Sequence, residues 1–111
     1  MTVFQKIIDG EIPCDKLYED DEIIVFRDIA PQAPFHALVV PKLPIRSVAD
    51  ARPSDQRLLG NLMLVAAKVA RDQGLDEGGY RLVTNIGDFG GQTVFHLHVH
   101  ILGGRPLRGM G

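Results

Sequence analysis

The sequence predicts an α+β domain spanning residues 1–111: an antiparallel five-stranded sheet with one long helix and a short N-terminal helix. Three observations predict it. β-prone stretches are joined by short turns, which pair strands antiparallel; one long run has helical hydrophobic spacing; and the last hydrophobic stretch alternates strictly. Thr2 can cap an opening helix whose apolar residues Val3, Phe4, Ile7 and Ile8 share a face, and Gly10 and Pro13 stop it. Lys16–Tyr18 and Ile23–Arg27 read as a hairpin about the acidic turn Glu19-Asp20-Asp21. The proline-rich link 30–34 leads to a third strand, Phe35–Val40, which Pro41 ends. Between Pro53 and Gly74, the residues Leu58, Leu62, Val65, Ala66 and Val69 make one buried helical stripe, and the neighbouring Leu59, Met63 and Ala70 are candidates for a subunit contact. Tyr80–Asn85 and Val94–Leu102 complete the strands, with the glycine-rich loop 86–92 between them. Both helices are expected on one face of the sheet, leaving the other free for a site. The tail from Gly103 to Gly111 is expected to be loosely held.

Composition narrows the function. Lysine and arginine total 12 and aspartate and glutamate 14, a formal charge of −2 with histidines neutral, which argues against nucleic-acid or anionic-membrane partners. Hydrophobic residues make up 45% and charged residues 23%, the balance of a chain that folds alone. A lone Cys14 makes no intrachain disulfide, and no stretch has the length of a signal sequence or membrane span, so a cytoplasmic location is the expectation.

Chemistry concentrates in Val94–Leu102. On a strand, His96, His98 and His100 project to one face while Phe95, Leu97, Val99 and Ile101 project to the other. Outward polar side chains on such a strand often serve solubility alone, a task to which lysine, threonine or glutamate is better suited. Metal binding is a second reading, but on a straight strand same-face neighbours stand about 6.8 Å apart. The outer pair is then too distant to share an ion at bond lengths of roughly 2.1 Å, and no cysteine cluster completes a site. The third reading is a catalytic row: a neutral imidazole attacks an electrophile, with its neighbours orienting it and moving protons. Phosphorus suits this reading. The glycines of loop 86–92 allow backbone N–H groups to face an anion, and Asn85, Gln92 and Thr93 add side-chain donors.

The run His96-Leu97-His98-Val99-His100-Ile101-Leu102, with Asn85, Gly90-Gly91-Gln92 and Gly103-Gly104-Arg105 in register around it, resembles the histidine-triad signature of the HIT family of nucleotide hydrolases and transferases. The similarity extends to Phe4–Ile8, Glu11–Pro13, Phe26–Pro34 and His36, and is greatest to the Hint branch of histidine-triad nucleotide-binding proteins. That resemblance implies a homodimeric purine nucleoside phosphoramidase that cleaves the P–N bond of adenosine or guanosine 5′-phosphoramidates, including aminoacyl-type adenylates, through a nucleotidyl-histidine, with neither metal nor cofactor. It assigns His98 as nucleophile, His100 and Thr93 to the phosphoryl oxygens and leaving amine, and His96 and His36 to fixing the tautomer of His98. Asn85 and the Gly91 backbone are assigned to the phosphate and Asp28 to the ribose, with Gln92 among the substrate-binding residues. Phe4, Ile7, Phe26, Ile29 and Leu38 are assigned to the base. Two departures stand out: Pro41-Lys42-Leu43-Pro44 lacks a histidine that many relatives carry, and the tail lacks tryptophan, which bears on the leaving group. The alternatives are a dinucleoside polyphosphate hydrolase and a nucleotide-binding scaffold with incidental hydrolysis. A nucleotidylyltransferase is disfavoured because that branch replaces the third histidine with glutamine, whereas this chain has His100.

Overall fold

Thr2 accepts a hydrogen bond from the Gln5 amide at 3.2 Å and so starts α1, Val3–Ile8, in the computed structural model, which describes residues 1–111. Gly10, at φ 81°, ends it. Strands β1 (Lys16–Glu19), β2 (Ile23–Arg27), β3 (Phe35–Pro41), β4 (Tyr80–Val83) and β5 (Val99–Gly103) form one antiparallel sheet in the order β1-β2-β3-β5-β4. Asp20 closes the β1–β2 turn by accepting from the Glu22 and Ile23 amides, both at 2.8 Å. Two short 3-10 turns, Val48–Asp50 and Pro53–Asp55, precede α2, Gln56–Asp72. Gly74, at φ 76°, lets the Leu75 amide reach back to the Ala70 carbonyl at 2.9 Å and terminates the helix.

The sheet separates two apolar clusters. Ile23, Val25, Phe35, Ala37, Val39, Leu97, Val99 and Ile101 meet the α2 stripe of Leu58, Leu62, Val65, Ala66 and Val69. On the other face Ile24, Phe26, Leu38 and Val40 meet Phe4 of α1. The two helices therefore lie on opposite faces, not on one as the sequence suggested: α1 is too short to cover the sheet, and covers only its β2–β3 part. Ala70 is buried in the main core and Leu59 packs against it, so of the three residues expected to flank the stripe only Met63 is exposed, beside Leu64.

The fifth strand is the main departure from expectation. It begins at Val99 rather than Val94, because continuing the Val39↔Val99 register would place Leu97 opposite Pro41, which has no N–H for the ladder. Other bonds hold residues 94–98. The Leu97 amide donates to the Ile45 carbonyl at 2.7 Å, and the Thr84 hydroxyl donates to the His98 carbonyl at 2.8 Å. Phe95, expected in the core, instead lies under the Arg46 guanidinium, 4.2 Å from its ring centre, and is half-buried.

Candidate active site

Strand alternation builds the site floor. The register aligns Leu38, His100 and Val83 in one row and His36, Leu102 and Arg81 in the next, all on the face opposite α2. Above this floor α1, the 28–32 loop and the 85–94 loop enclose a cleft of about 630 Å³, a volume in the usual range of small-ligand sites. Twelve of the fourteen residues singled out in the sequence line it: Phe4, Ile7, Phe26, Asp28, Ile29, His36, Leu38, Asn85, Gly91, Thr93, His98 and His100.

The imidazoles form two separately oriented units. His98, buried to 6% exposure, places Nδ1 2.7 Å from the carbonyl oxygen of His96. A carbonyl only accepts, so Nδ1 carries the proton and neutral His98 holds its lone pair at Nε2. The Phe4 ring meets His98 edge-on, centroids 4.8 Å apart, and fixes the ring plane. In the second unit the Gln32 amide donates to His36 Nδ1 at 3.1 Å, which puts the His36 proton on Nε2. Nε2 lies 2.9 Å from His100 Nδ1 and donates to it, leaving neutral His100 with its proton on Nε2. His98 thus offers a lone pair and His100 a donor, with ring centroids 5.0 Å apart.

This arrangement reassigns two supporting histidines. His36 orients His100, not His98; the two are brought together by neighbouring rows of β3 and β5. The His96 ring is outside the cleft, with Nε2 donating to the Pro41 carbonyl at 2.7 Å, and it is the His96 backbone that meets His98. Gln92 is also outside. Its amide nitrogen donates to the carbonyls of Arg46 and Val94 at 2.8 and 3.1 Å and its oxygen accepts from the Gly87 amide at 2.9 Å, tying the loop to the chain after β3. The Gly91 amide closes a turn onto the Asp88 carbonyl at 3.0 Å, and Asn85 donates to the Gly90 carbonyl at 2.7 Å. Asp28 accepts from the Ala30 amide at 2.8 Å and its other oxygen lies 3.5 Å from His36 Nε2.

Electrostatics keep the cleft imidazoles neutral. Burial lowers the His98 pKa below the usual histidine value, with a smaller contribution from the His96 ring, against the raising effect of the His96 carbonyl bond. Burial, then the proximity of His98 and His36, lowers His100 to about 4. His36 is lowered by burial, opposed by Asp28. Below the ordinary histidine value near 6.5 the unfolded chain binds protons that the folded chain refuses, so stability falls as pH falls through that point toward 4. The urea midpoint is expected to be higher at pH 7 than at pH 5; equal midpoints would contradict neutral buried imidazoles.

Ligating atoms of Asp28, His36 and His100 lie within 4.8 Å of one another, close enough to raise the question of a metal. With the Gln32 amide donating to Nδ1, His36 Nε2 bears a proton and has no lone pair for a metal. The trio is a hydrogen-bonding unit. The cleft residues missed in the sequence include Leu102 and Val83, which strand alternation from His100 could have revealed, and Gln32 and Cys14, for which no pattern existed.

Comparison with known proteins identifies the family. A HIT domain model matches residues 9–107. The chain is 50% identical over 106 residues to a purine nucleoside phosphoramidase of Escherichia coli, covering 96% of this chain and 89% of that protein. It is 56% identical over 106 residues to an uncharacterised HIT-like protein of Synechococcus elongatus, covering 96% and 92%. Among solved structures, a HIT family hydrolase from Clostridium thermocellum superposes with a TM-score of 0.94 at 46% identity, covering 98% of this chain and 95% of that one. A HIT family hydrolase from Legionella pneumophila gives 0.95 at 47%, covering 97% and 96%. With the domain model spanning nearly the whole chain and half of all positions shared with a curated relative, this protein belongs to the HIT family.

Proposed function

We propose that the protein hydrolyses the P–N bond of purine nucleoside 5′-phosphoramidates. The observation that carries this reading is the pairing of tautomers, a lone pair on His98 Nε2 beside a proton on His100 Nε2 in a cleft walled by apolar side chains. The similarity to a relative bearing the phosphoramidase name supports it.

Phe4, Ile7, Phe26, Ile29 and Leu38 receive the base, and Asp28, an acceptor at the cleft wall, takes the ribose hydroxyls. Asn85 and Thr93 hold the phosphoryl oxygens. His98 Nε2 attacks phosphorus and the P–N electron pair passes to nitrogen, which leaves as the amine after taking up one proton from solvent, guided by the hydrogen bond from His100 Nε2–H. Water then attacks the nucleotidyl-histidine, restores His98 and returns the proton to solvent. Because burial holds His98 below the ordinary histidine pKa, the lone pair is available at neutral pH.

A homodimer belongs to the same proposal. β4 is an edge strand whose outer side is unpaired, and Met63 and Leu64 are exposed on α2. No helix is long and apolar enough to cross a membrane.

The test compares kcat/KM for adenosine 5′-phosphoramidate with that for diadenosine polyphosphates on one sample. A preference for the phosphoramidate is expected; a preference for the polyphosphates would overturn the assignment.

A further inference from the structure

We propose that the ring of His96, which the reaction above does not use, forms with Arg46 a second binding site, outside the cleft, that takes inorganic phosphate. The proposal does not depend on the phosphoramidase reading.

An unspent nitrogen is the first argument. His96 is 2% exposed, and only Nε2 is engaged inside the protein, donating to the Pro41 carbonyl at 2.7 Å. Polar atoms sealed from water are paired as a rule, and here no fully buried side-chain nitrogen or oxygen lacks a hydrogen bond. Nδ1, which has no partner in the protein, therefore reaches the surface. It does so in a separate hollow of about 240 Å³ whose walls include His96, Arg46, Phe95 and Thr2, because His96 does not line the cleft. With the proton held on Nε2, neutral His96 presents a lone pair to this hollow.

Arg46 supplies the second. Its guanidinium lies over the Phe95 ring, 4.2 Å from the centre, so one face of the group is held and its N–H edge is left for a ligand. The side chain takes part in none of the protein's ion pairs. Only the Arg46 backbone is committed, its carbonyl accepting from Gln92 at 2.8 Å. The Thr2 hydroxyl oxygen accepts from the Gln5 amide at 3.2 Å and keeps its own proton for a further bond.

The donor set defines the ligand. A guanidinium edge asks for two oxygens on one centre, whereas a lone pair on Nδ1 asks for a hydrogen. Carboxylates and sulfate carry no hydrogen at neutral pH, and their oxygens would oppose the Nδ1 lone pair. Phosphate monoesters, whose second pKa is about 6, have largely lost theirs. Inorganic phosphate keeps a P–OH in both of its neutral-pH forms and meets both demands. The Phe4 ring borders His96 and His98 together, with centroid separations of 6.3 and 4.8 Å, so the two sites adjoin a common aromatic wall but share no ring nitrogen.

The experiment titrates protein labelled with ¹⁵N-histidine with sodium phosphate, sodium sulfate or methyl phosphate at neutral pH and constant ionic strength, following each ring nitrogen by long-range ¹H–¹⁵N spectra. A saturable upfield shift of His96 Nδ1 with millimolar phosphate is expected, as a bare acceptor nitrogen gains a hydrogen bond. Sulfate is expected to bind about tenfold more weakly or less, and methyl phosphate several-fold more weakly. Arg46→Gln is expected to weaken phosphate about tenfold, and the remote Arg71→Gln to leave it unaltered. His36 and His100 resonances that match the parent show that Arg46→Gln is folded. Phosphate that shifts only His98 and His100 is bound in the cleft and overturns the proposal. So does an Arg46→Gln variant with parental affinity, sulfate bound as tightly as phosphate, or methyl phosphate bound more tightly, and none of these outcomes touches the phosphoramidase reading.

Discussion

Replacing His98 with alanine is expected to lower kcat/KM for adenosine 5′-phosphoramidate by about 10⁴-fold or more, because the proposed mechanism loses its attacking side chain. Binding is expected to survive. The apolar wall, Asp28 and Asn85 stand on other elements, so AMP should still bind by calorimetry with an affinity within a few-fold of the parent. His98 is buried against Phe4, and its removal leaves a space there, so His98→Asn, which retains a side-chain donor toward the His96 carbonyl, provides a second variant with less loss of packing. Near-normal turnover in either variant would show that His98 is not the attacking group.

Gly90→Ala has the next largest expected effect, and it acts through a loop. A Cβ at Gly90 would lie 2.3 Å from the Ile86 carbonyl oxygen and 3.0 Å from the Ile86 nitrogen, both backbone atoms, so the turn must open to admit a methyl group. Opening it moves the Gly90 carbonyl that holds Asn85 and shifts the adjoining Gly91–Thr93 segment of the cleft. Stability is expected to fall by about 1–3 kcal/mol, and kcat/KM by about 10²-fold as Asn85, the proposed donor to the phosphoryl oxygens, is displaced. Gly60→Ala is the contrast. Gly60 lies within α2 with open space around it, and alanine there is expected to stabilise by up to about 1 kcal/mol without altering turnover. An active, fully stable Gly90→Ala enzyme would remove the loop from the account.

Local chemistry made most of the fold legible. Thr2, Gly10, Gly74 and the α2 stripe act through their nearest neighbours in the chain, and each did what its position implied. What failed depended on partners distant in sequence. The fifth strand begins late because Pro41, some sixty residues earlier, has no N–H to offer it. Phe95 leaves the core with the end of that strand and finds Arg46 instead. α1 lies on the other face because Phe4 packs on Ile24, Phe26, Leu38 and Val40 of β2 and β3, a contact that no local pattern reports.

The site divides in the same way. Alternation brought His98 and His100 to one cleft, and the glycine loop lies beside them. Which atoms orient them was not legible, because backbone groups do that work. The His96 and Gln32 peptides, present at every position of any chain, set the tautomers of His98 and His36 through contacts that only the folded loops create. Gln92 was read as a donor to ligand because its amide suits that role, yet burial commits it to three backbone partners.

The proposed mechanism turns on a bond between His98 and phosphorus. Mixing the enzyme with adenosine 5′-phosphoramidate, quenching in alkaline denaturant to preserve a phosphorus–nitrogen bond, and mapping the digested protein by mass spectrometry tests it most directly. One adenylyl group on His98, formed and lost at rates compatible with turnover and absent from His98→Ala, is the predicted result. Turnover without that adduct, accompanied by inversion of configuration at a chiral phosphorus, would show water attacking in a single displacement and would contradict it.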